Sequence, residues 1–471
     1  MVGITSYGAY IPVYRLDRAL AARTWGGPPM MGEKATGYWD EDSVTMATEA
    51  VLDCLSSTAP EEVDGVFLAS TTLPYKEKQM SSLIATVLDL PRTARTADFA
   101  NSLRCATTAM KSALDAIEAG AARKIMVTAA DCRLGAPQSM REQLFGDGAA
   151  ALLIGNSEVA ASIEGYYSIN DEITDVWRRD EDTFVEGAED RWAVTYGYMK
   201  NMQEAIAGLL RKLKWAPTAF SKVVLAAPDA RSPLDLMKSF GFDPKTQAQD
   251  TLVNTVGSTG SAQAFLMLVA ALEEAKPGDR ILLANYGNGC DAFSLLVTDQ
   301  IAKIRERRGV KVHLKSKKAV SYERYIRWKS FLPLESAHRQ VPFSSPVVLW
   351  REARGLFTLS GSKCKRCSLI DYPIQRVCHQ CGSKDEYDEI KLSRKGKLFT
   401  YTEDYLSGRG AEQFVVFPVV DLEGGGRIKG HMTECEPGEA RIDLPVELAF
   451  RKMHEGGGFN NYFWKTRPRR A

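Results

Sequence analysis

"ALDAIEAGAARKIMVTAAD", residues 113–131, holds a helix end, a turn and a strand in one short stretch. The alanine-rich first part has helical spacing, and Gly120 stops it. "KIMVTAAD" (124–131) is then an unbroken apolar run of strand length, the pattern of a strand covered on both faces. The same sequence of events returns as "ALEEAKPGDRILLANYG", residues 271–287. Each half then makes a Gly-Asx-Gly turn before a last strand, "GDGAAALLI" (146–154) and "GNGCDAFSLL" (287–296). An α/β unit repeated in one chain predicts a duplicated fold with a site between its halves. Tight backbone approach beside that site is the expected use of the two glycine turns.

The rest of the first 300 residues fits this reading. "VDGVFLAST" (63–71), "AAALLIG" (149–155), "KVVLAAP" (222–228) and "AFSLLVT" (292–298) read as further buried strands. "DSVTMATEAVLDCL", "ATTAMKSALDAIEAG" and "SAQAFLMLVAALEEA" read as helices between them, so the class is an α/β layered sheet. Hydrophobic content is 45%, charged content 25% and net charge +1, so no whole-chain field points to nucleic acid or an anionic membrane. No apolar stretch reaches membrane-spanning length, and "MVGITSYGAYIPVYRL" lacks the basic and apolar regions of a signal peptide. The expectation is a cytoplasmic protein whose nine cysteines are reduced or metal-bound.

The texture changes after residue 300. "KIRERRGVKVHLKSKK" (303–318) carries eight Lys/Arg and one Glu, and reads either as a solvated linker or as a phosphate-facing strip. "SYERYIRWKSFL" reads as a docking helix. "SKCKRCSLIDYPIQRVCHQCGS" then places Cys364, Cys367, Cys378 and Cys381 as two C-x2-C knuckles. Four thiolates complete a tetrahedral shell, so the spacing predicts structural zinc with no position left open for catalysis. "GKLFTYTEDYL", "FVVFPVVDLE", "RIKGHMTE" and "PVELAFRKM" read as strands of a small OB-type barrel, without the dense basic–aromatic alternation of a nucleic-acid binder. The expected boundaries are 1–300 (halves about 1–160 and 161–300), 301–345 for linker and docking helix, 346–390 for the ribbon and 391–471 for the barrel.

"GITSYGAYIPVYRL", "DEDSVTMATEA", "STTLPY", "SLRCATTA", "FGDGAAALLIG", "VGSTGSA" and "YGNGCDAF" resemble the thiolase superfamily, and within it the 3-hydroxy-3-methylglutaryl-CoA synthase-like branch. The last 125 residues resemble the zinc-ribbon/OB-fold family that accompanies thiolase-like enzymes acting on acyl-CoA. The resemblance implies a five-layered αβαβα fold, a homodimer, and coenzyme A as part of the substrate. It also implies a cysteine nucleophile at a helix N-terminus, a histidine, an oxyanion-supporting asparagine and a glutamate acid/base.

This chain departs at each position. The synthase motif Cys-x-[Ala/Gly]-[Ala/Gly]-Thr, laid on "LRCAT", puts Thr107 at the threonine and Leu103 at the nucleophile. Cys105 comes two residues later, about 200° around a helix, and should face elsewhere. The histidine motif falls on "AAPDAR", with Ala226 at the histidine, Asp229 at the asparagine and Arg231 at the lysine. The second asparagine becomes Ser258 and the glutamate becomes Thr71. The five histidines are His313, His338, His379, His431 and His454, so residues 1–312 contain none.

Several residues keep two readings. Cys105 is a packed helix residue or a nucleophile. Asp229 is a local turn former or a general base with a raised pKa. Ser258 is an N-cap or an oxyanion contact. Arg104 and Arg231 are candidates for a CoA phosphate or an acyl carboxylate, with Leu103 on the substrate wall. Tyr196 is a candidate acid/base; Tyr75, Tyr198 and Tyr286 also lie in loop-like stretches and read mainly as packing.

An acyl-CoA scaffold without cysteine and histidine predicts an aldolase-type lyase. It would cleave a tertiary 3-hydroxyacyl-CoA to a ketone or aldehyde plus a shorter acyl-CoA, which needs a base and enolate stabilisation but no acyl-enzyme. The alternatives are a Claisen-type thiolase or HMG-CoA-synthase-like acyltransferase, and a non-catalytic acyl-CoA-binding subunit with a partner from the same pathway. No nucleic acid or membrane partner is expected.

Overall fold

The computed structural model describes residues 1–470 apart from 57, 333–343, 407–411 and 413. The chain divides into two compact units: Met1–Gly37, Asp42–Ala85 and Leu90–Tyr322 form the first, and Tyr38–Glu41, Thr86–Asp89 and Glu323–Ala471 the second.

Unit one is built on β1 (Gly3–Tyr10), β2 (Gly65–Ala69), β3 (Arg95–Phe99), β4 (Lys124–Asp131), β5 (Gly148–Gly155), β6 (Ala161–Asn170), β7 (Lys222–Leu225), β8 (Arg280–Tyr286) and β9 (Gly289–Val297). They form one nine-stranded sheet in the order β7-β8-β9-β6-β1-β5-β4-β2-β3. In the first half β2 runs parallel to β3 and β4, while β4–β5 and β5–β1 are antiparallel. The second half repeats this. β7 is parallel to β8, β8–β9 and β9–β6 are antiparallel, and a parallel bridge from Val223 to Ala248 stands where β3 stands in the first half. Counted from its own start, each half has the strand order third, second, fourth, fifth, first. The sequence repeat is therefore a repeat of topology. The halves meet where Gly3 and Ile4 of β1 pair with Ser162 and Ala161 of β6.

The helices that matter are α1 (Ser43–Cys54), α2 (Cys105–Glu118), α3 (Lys200–Leu213), α4 (Ser232–Phe240) and α5 (Gln263–Glu274). Helix α5 is buried from Gln263 to Val269 and again at Ala271 and Leu272, and an all-round apolar helix belongs inside. One core cluster takes Cys105, Ala109 and Met110 of α2, Phe265 and Leu268 of α5, and residues of both half-sheets such as Val127 and Leu283. Helices α1 and α3 cover the outer faces, packing on β1 and β5 and on β6 and β9 respectively. This is the five-layered, duplicated arrangement.

The basic stretch 303–318 is folded onto unit one. Arg307 donates to the carbonyls of Asp53 and Cys54, and Lys318–Ala319 pairs in parallel with Tyr14 and Arg15.

Unit two contains a three-stranded ribbon, β10 (Ser360–Cys364), β11 (Ile370–Asp371) and β12 (Tyr387–Lys391), in the order β11-β10-β12. The barrel strands are β13 (Lys395–Asp404), β14 (Val415–Leu422), β15 (Arg427–Lys429), β16 (Pro445–Gly456) and β17 (Phe459–Pro468), in the order β15-β14-β13-β16-β17. Met432 bridges to Thr466, so the chain just past β15 returns to β17 and curls the sheet closed. Among the described residues, no helix is long and apolar enough to cross a membrane.

Candidate functional site

In unit one, residues at or just past the carboxyl ends of β2, β4, β7 and β8 line two adjoining spaces. Thr71, Arg133, the segment Ala226–Asp229 and Tyr286 sit at or just past those ends. The carboxyl ends of parallel strands are where open α/β sheets build ligand sites. A cavity of about 300 Å³ lies there, walled by Leu103, Phe145, Tyr198, Ala226, Ser258 and Asn285 among others. It adjoins a more polar cleft of about 670 Å³ that includes Thr71, Tyr75 and Arg178. Leu103, Arg133, Asp175, Val176 and Tyr286 line both.

Leu103, Ala226, Ser258 and Thr71, the positions that the motifs assign to cysteine, histidine, asparagine and glutamate, thus converge on these two adjoining spaces. The side chains there are not those that the motifs carry. Leu103 is half-buried on the shared wall. Cys105 points into the core cluster with 3% exposure. Burial, and next the charge of Asp131, push its thiol far up from the ordinary range. A thiol held neutral in apolar surroundings is a packing group.

Glycine fixes how the walls meet. A Cβ on Gly287 would stand 2.7 Å from the backbone nitrogen of Arg104, so only glycine lets the β8–β9 turn press against the start of α2. Ser102 ties the contact with a 3.0 Å bond to the Gly287 carbonyl, which sets Tyr286 beside Leu103. On the other side, Gly146 comes so close to Val256 that an added Cβ would lie 1.8 Å from its carbonyl oxygen. Next to it, the backbone of Ser258 bonds Leu144 and Gly146. The Ser258 hydroxyl bonds no described residue.

The other residues singled out from the sequence are placed as follows. Asp229 lines the cavity, but its carboxylate accepts from the Arg231 and Ser232 amides, both at 2.7 Å, and from the Ser232 hydroxyl at 2.5 Å. These bonds commit both carboxylate oxygens to the start of α4. Arg231 extends into solvent, its side chain 89% exposed, and pairs with Asp235 at 3.3 Å. Arg104 is bound to the buried Asp291 at 3.2 Å and to the Ile169 carbonyl at 2.9 Å. Neither arginine lines the cavity. Tyr196 is 58% exposed and also outside it. His313, the histidine nearest in sequence, is buried against the Ala9 carbonyl at 3.1 Å and lines neither space; His338 lies outside the described residues.

Four cavity residues were not read as the site. Tyr286 donates to Asp175 at 2.6 Å, and burial followed by that bond pushes its phenol up. Tyr198 stands in a π-helical turn, Ala193–Met199, and burial pushes its phenol well up. Its hydroxyl is buried with no partner among the described residues, and its ring packs edge-on to Tyr286 at 5.8 Å. Asn285 reaches the Leu103 carbonyl and the Thr107 hydroxyl, both at 3.4 Å. Arg133 is buried over the Phe145 ring, 4.3 Å from its centroid. Position at a strand's carboxyl end is the signal that could have found Arg133 and Tyr286.

Comparison with known proteins places this architecture. The chain is 30% identical over 343 residues to the hydroxymethylglutaryl-CoA synthase of Methanopyrus kandleri, an alignment covering 70% of this chain and 98% of that one. The chain belongs to the hydroxymethylglutaryl-CoA synthase family. The synthase of Methanosarcina barkeri is 33% identical, over 70% of this chain and 98% of its own. The fold is that of MvaS in complex with 3-hydroxy-3-methylglutaryl coenzyme A, with a TM-score of 0.64 at 21% identity, covering 73% of this chain and 94% of that chain. The curacin pathway HMG synthase in complex with acetyl donor-ACP superposes with a TM-score of 0.64 at 19% identity, over 83% and 100% of the two chains. Residues 97–171 match the family described as 3-oxoacyl-[acyl-carrier-protein] synthase III, and residues 389–451 match the ChsH2 C-terminal OB-fold domain. The expected branch and its fusion to an OB-fold are both present. The lyase expectation finds no support in these relatives, which are synthases; they favour the acyltransferase alternative at the level of the family.

The ribbon's four cysteines form a second candidate centre. Their Sγ atoms all lie within 4.8 Å of one another, with Cys364–Cys381 at 3.7 Å and Cys367–Cys378 at 3.5 Å. A tetrahedron with zinc–sulfur bonds of about 2.3 Å has edges of about 3.8 Å, so the donor set fits zinc.

Proposed function

We propose that the chain makes or breaks a carbon–carbon bond beside an acyl-CoA thioester in an aldol-type step, with the acyl group staying on CoA. Leu103 carries this reading: the wall position of the family's thiol offers no nucleophile. In the cleavage direction the 3-hydroxyl proton passes to the Tyr286 oxygen as the Tyr286 proton passes to Asp175. The C–C bond breaks, its electron pair moves into the thioester as an enolate, and the carbonyl product leaves. The proton held on Asp175 returns through Tyr286 to the enolate carbon, which gives the shorter acyl-CoA and restores the pair. Ser258, Asn285 and Tyr198 supply donors for the enolate oxygen, the group such sites must stabilise. Asp229 serves the wall rather than the proton.

The second reading is a synthase-type acyltransferase, supported by identity of 30–33% across nearly the whole length of the archaeal synthases. It needs Cys105, or a histidine from unit two, to enter the cavity.

Two incubations separate them. Aldol chemistry on a tertiary 3-hydroxyacyl-CoA yields a trappable carbonyl and no free thiol. Synthase chemistry on acetyl-CoA and acetoacetyl-CoA releases CoA thiol. Carbonyl release without thiol release supports the first reading, and thiol release from the synthase substrates refutes it.

The same proposal gives the ribbon a structural zinc held by Cys364, Cys367, Cys378 and Cys381, and makes the chain a cytoplasmic homodimer.

A further inference from the structure

The inner surface of the cavity is mostly hydrocarbon: Leu144, Phe145, Val176, Val194, Ala227 and Pro228 all line it. Leu103 and Ala226 extend that surface at the two places where the motifs put a cysteine and a histidine. The charges around it are answered within the protein. Arg141 pairs with Asp190 at 3.3 Å, Asp175 accepts from Tyr286 and from the Val176 amide, and Asp229 is committed to the start of α4. Arg133 lies in the field of the Asp131 and Asp175 carboxylates. Two arginines against three aspartates leave the lining with no positive excess to draw an anionic acyl group. Its neutral polar groups, among them Ser258, Asn285 and Tyr198, are few, and in such a mix the polar groups orient a ligand while the apolar walls hold it. A dry cavity of about 150 Å³ holds benzene, so one of about 300 Å³ has room for roughly ten to twelve carbons. A two- or three-carbon acyl group would leave most of that wall against water, which is unfavourable.

We propose that the cavity takes an uncharged alkyl chain, so that the substrate is an acyl-CoA whose acyl group has about eight to ten carbons and an apolar end. This rests on the acyl-CoA reading of the site and names its acyl group. The thioester sits where Leu103 and Tyr286 line both spaces, the chain runs into the apolar cavity, and the CoA arm leaves by the polar cleft with Thr71, Tyr75 and Arg178. Val194 stands in the same π-helical turn as Tyr198, so one turn supplies both a donor for the enolate and a wall for the chain.

Calorimetric titration of the full chain with free CoA and with acetyl-, butanoyl-, hexanoyl-, octanoyl- and dodecanoyl-CoA tests this. Each methylene from acetyl to octanoyl should tighten binding about two- to fourfold, and the gain should stop near ten carbons. Adipoyl-CoA, which matches hexanoyl-CoA in length and ends in a carboxylate, should bind at least tenfold more weakly than it. V194D should cut octanoyl-CoA affinity at least tenfold and leave free CoA within twofold. Should V194D fail to fold, V194F, which fills the same wall with hydrocarbon, should move the plateau to shorter chains. A flat series around a bound CoA overturns the proposal and leaves the acyl-CoA reading standing. Adipoyl-CoA bound as tightly as hexanoyl-CoA overturns it as well, and so does a gain per methylene that both Val194 variants leave unchanged. Failure of free CoA and of every thioester to bind removes the acyl-CoA reading and this one together. A chain-length preference in a protein that releases no carbonyl product leaves the alkyl site standing and removes the aldol reading.

Discussion

Replacing Cys105 by alanine should leave catalysis unchanged. The side chain is 3% exposed and belongs to the core shared by α2 and α5. Removing its sulfur takes away roughly one methylene of buried surface and leaves a small void, a loss of about 1–2 kcal/mol in stability. Burial holds the thiol protonated, and each unit of upward shift lowers the thiolate fraction tenfold. Iodoacetamide at pH 8 should therefore label Cys105 far more slowly than an ordinary surface thiol, as peptide mapping by mass spectrometry would record. The reciprocal change is Leu103→Cys, which puts a thiol on the cavity wall at the start of α2, where a helix N-terminus favours thiolate. That variant should be alkylated at position 103 and protected by an acyl-CoA. Carbonyl release by Cys105→Ala should stay within twofold of wild type. A loss of a hundredfold or more, about 2.7 kcal/mol of barrier, with label on Cys105 blocked by substrate, would refute the reasoning and restore an acyl-cysteine mechanism.

Tyr286→Phe removes the hydroxyl that bridges cavity and Asp175; kcat should fall about 10²–10³-fold with KM little changed, and Asp175→Asn should add little to it in the double variant. Glu273 has its carboxyl pushed up from 4.5 to about 7, chiefly by burial and partly by Asp53. Because the native state then holds that proton where the unfolded chain has lost it, stability falls as pH rises from about 4.5 to 7. Glu273→Gln should thus be more stable than wild type by about 1–2 kcal/mol at pH 8, after allowance for partial exposure, and equal to it at pH 4, by urea unfolding. Zinc analysis should return one ion per chain, and Cys367→Ser or a strong chelator should remove it and melt unit two at lower temperature while the core of unit one is unaffected. Glu434 is held well below the usual carboxylate range, burial opposing and Arg470, Arg467 and Arg451 prevailing, so Glu434→Gln should destabilise unit two by about 3–5 kcal/mol in thermal melts.

What was legible depended on how local the cause was. The strands of unit one could be read because a strand buried on both faces is an apolar run. The exception is the third strand of the second half, where "TQAQD" offers one small apolar residue and the structure keeps a single bridge at Ala248. The zinc knuckles are local too, and their spacing carries them. The motif positions Leu103, Ala226, Ser258 and Thr71 led to the cavity and its adjoining cleft, but the other groups that line them could not be read. Asp175 comes from a charged stretch between β6 and α3, Tyr198 from a π-helical turn, and Arg133 from a turn after β4. Nothing in their own neighbourhoods says that they meet. Asp229 was the reverse case: "DARSP" carries a helix-start signal, and the carboxylate went to that local use.

The replacements are coherent as a set. Losing only the cysteine would leave a synthase with a gap. Here the histidine position is alanine, the asparagine is serine and the glutamate is a threonine whose hydroxyl is bound to Asp131 at 2.9 Å. Each change removes a group that acyl-enzyme chemistry uses, and none removes what an enolate needs. The cavity keeps neutral donors in Ser258, Asn285 and Tyr198, and gains a tyrosine–carboxylate pair able to carry one proton between oxygens.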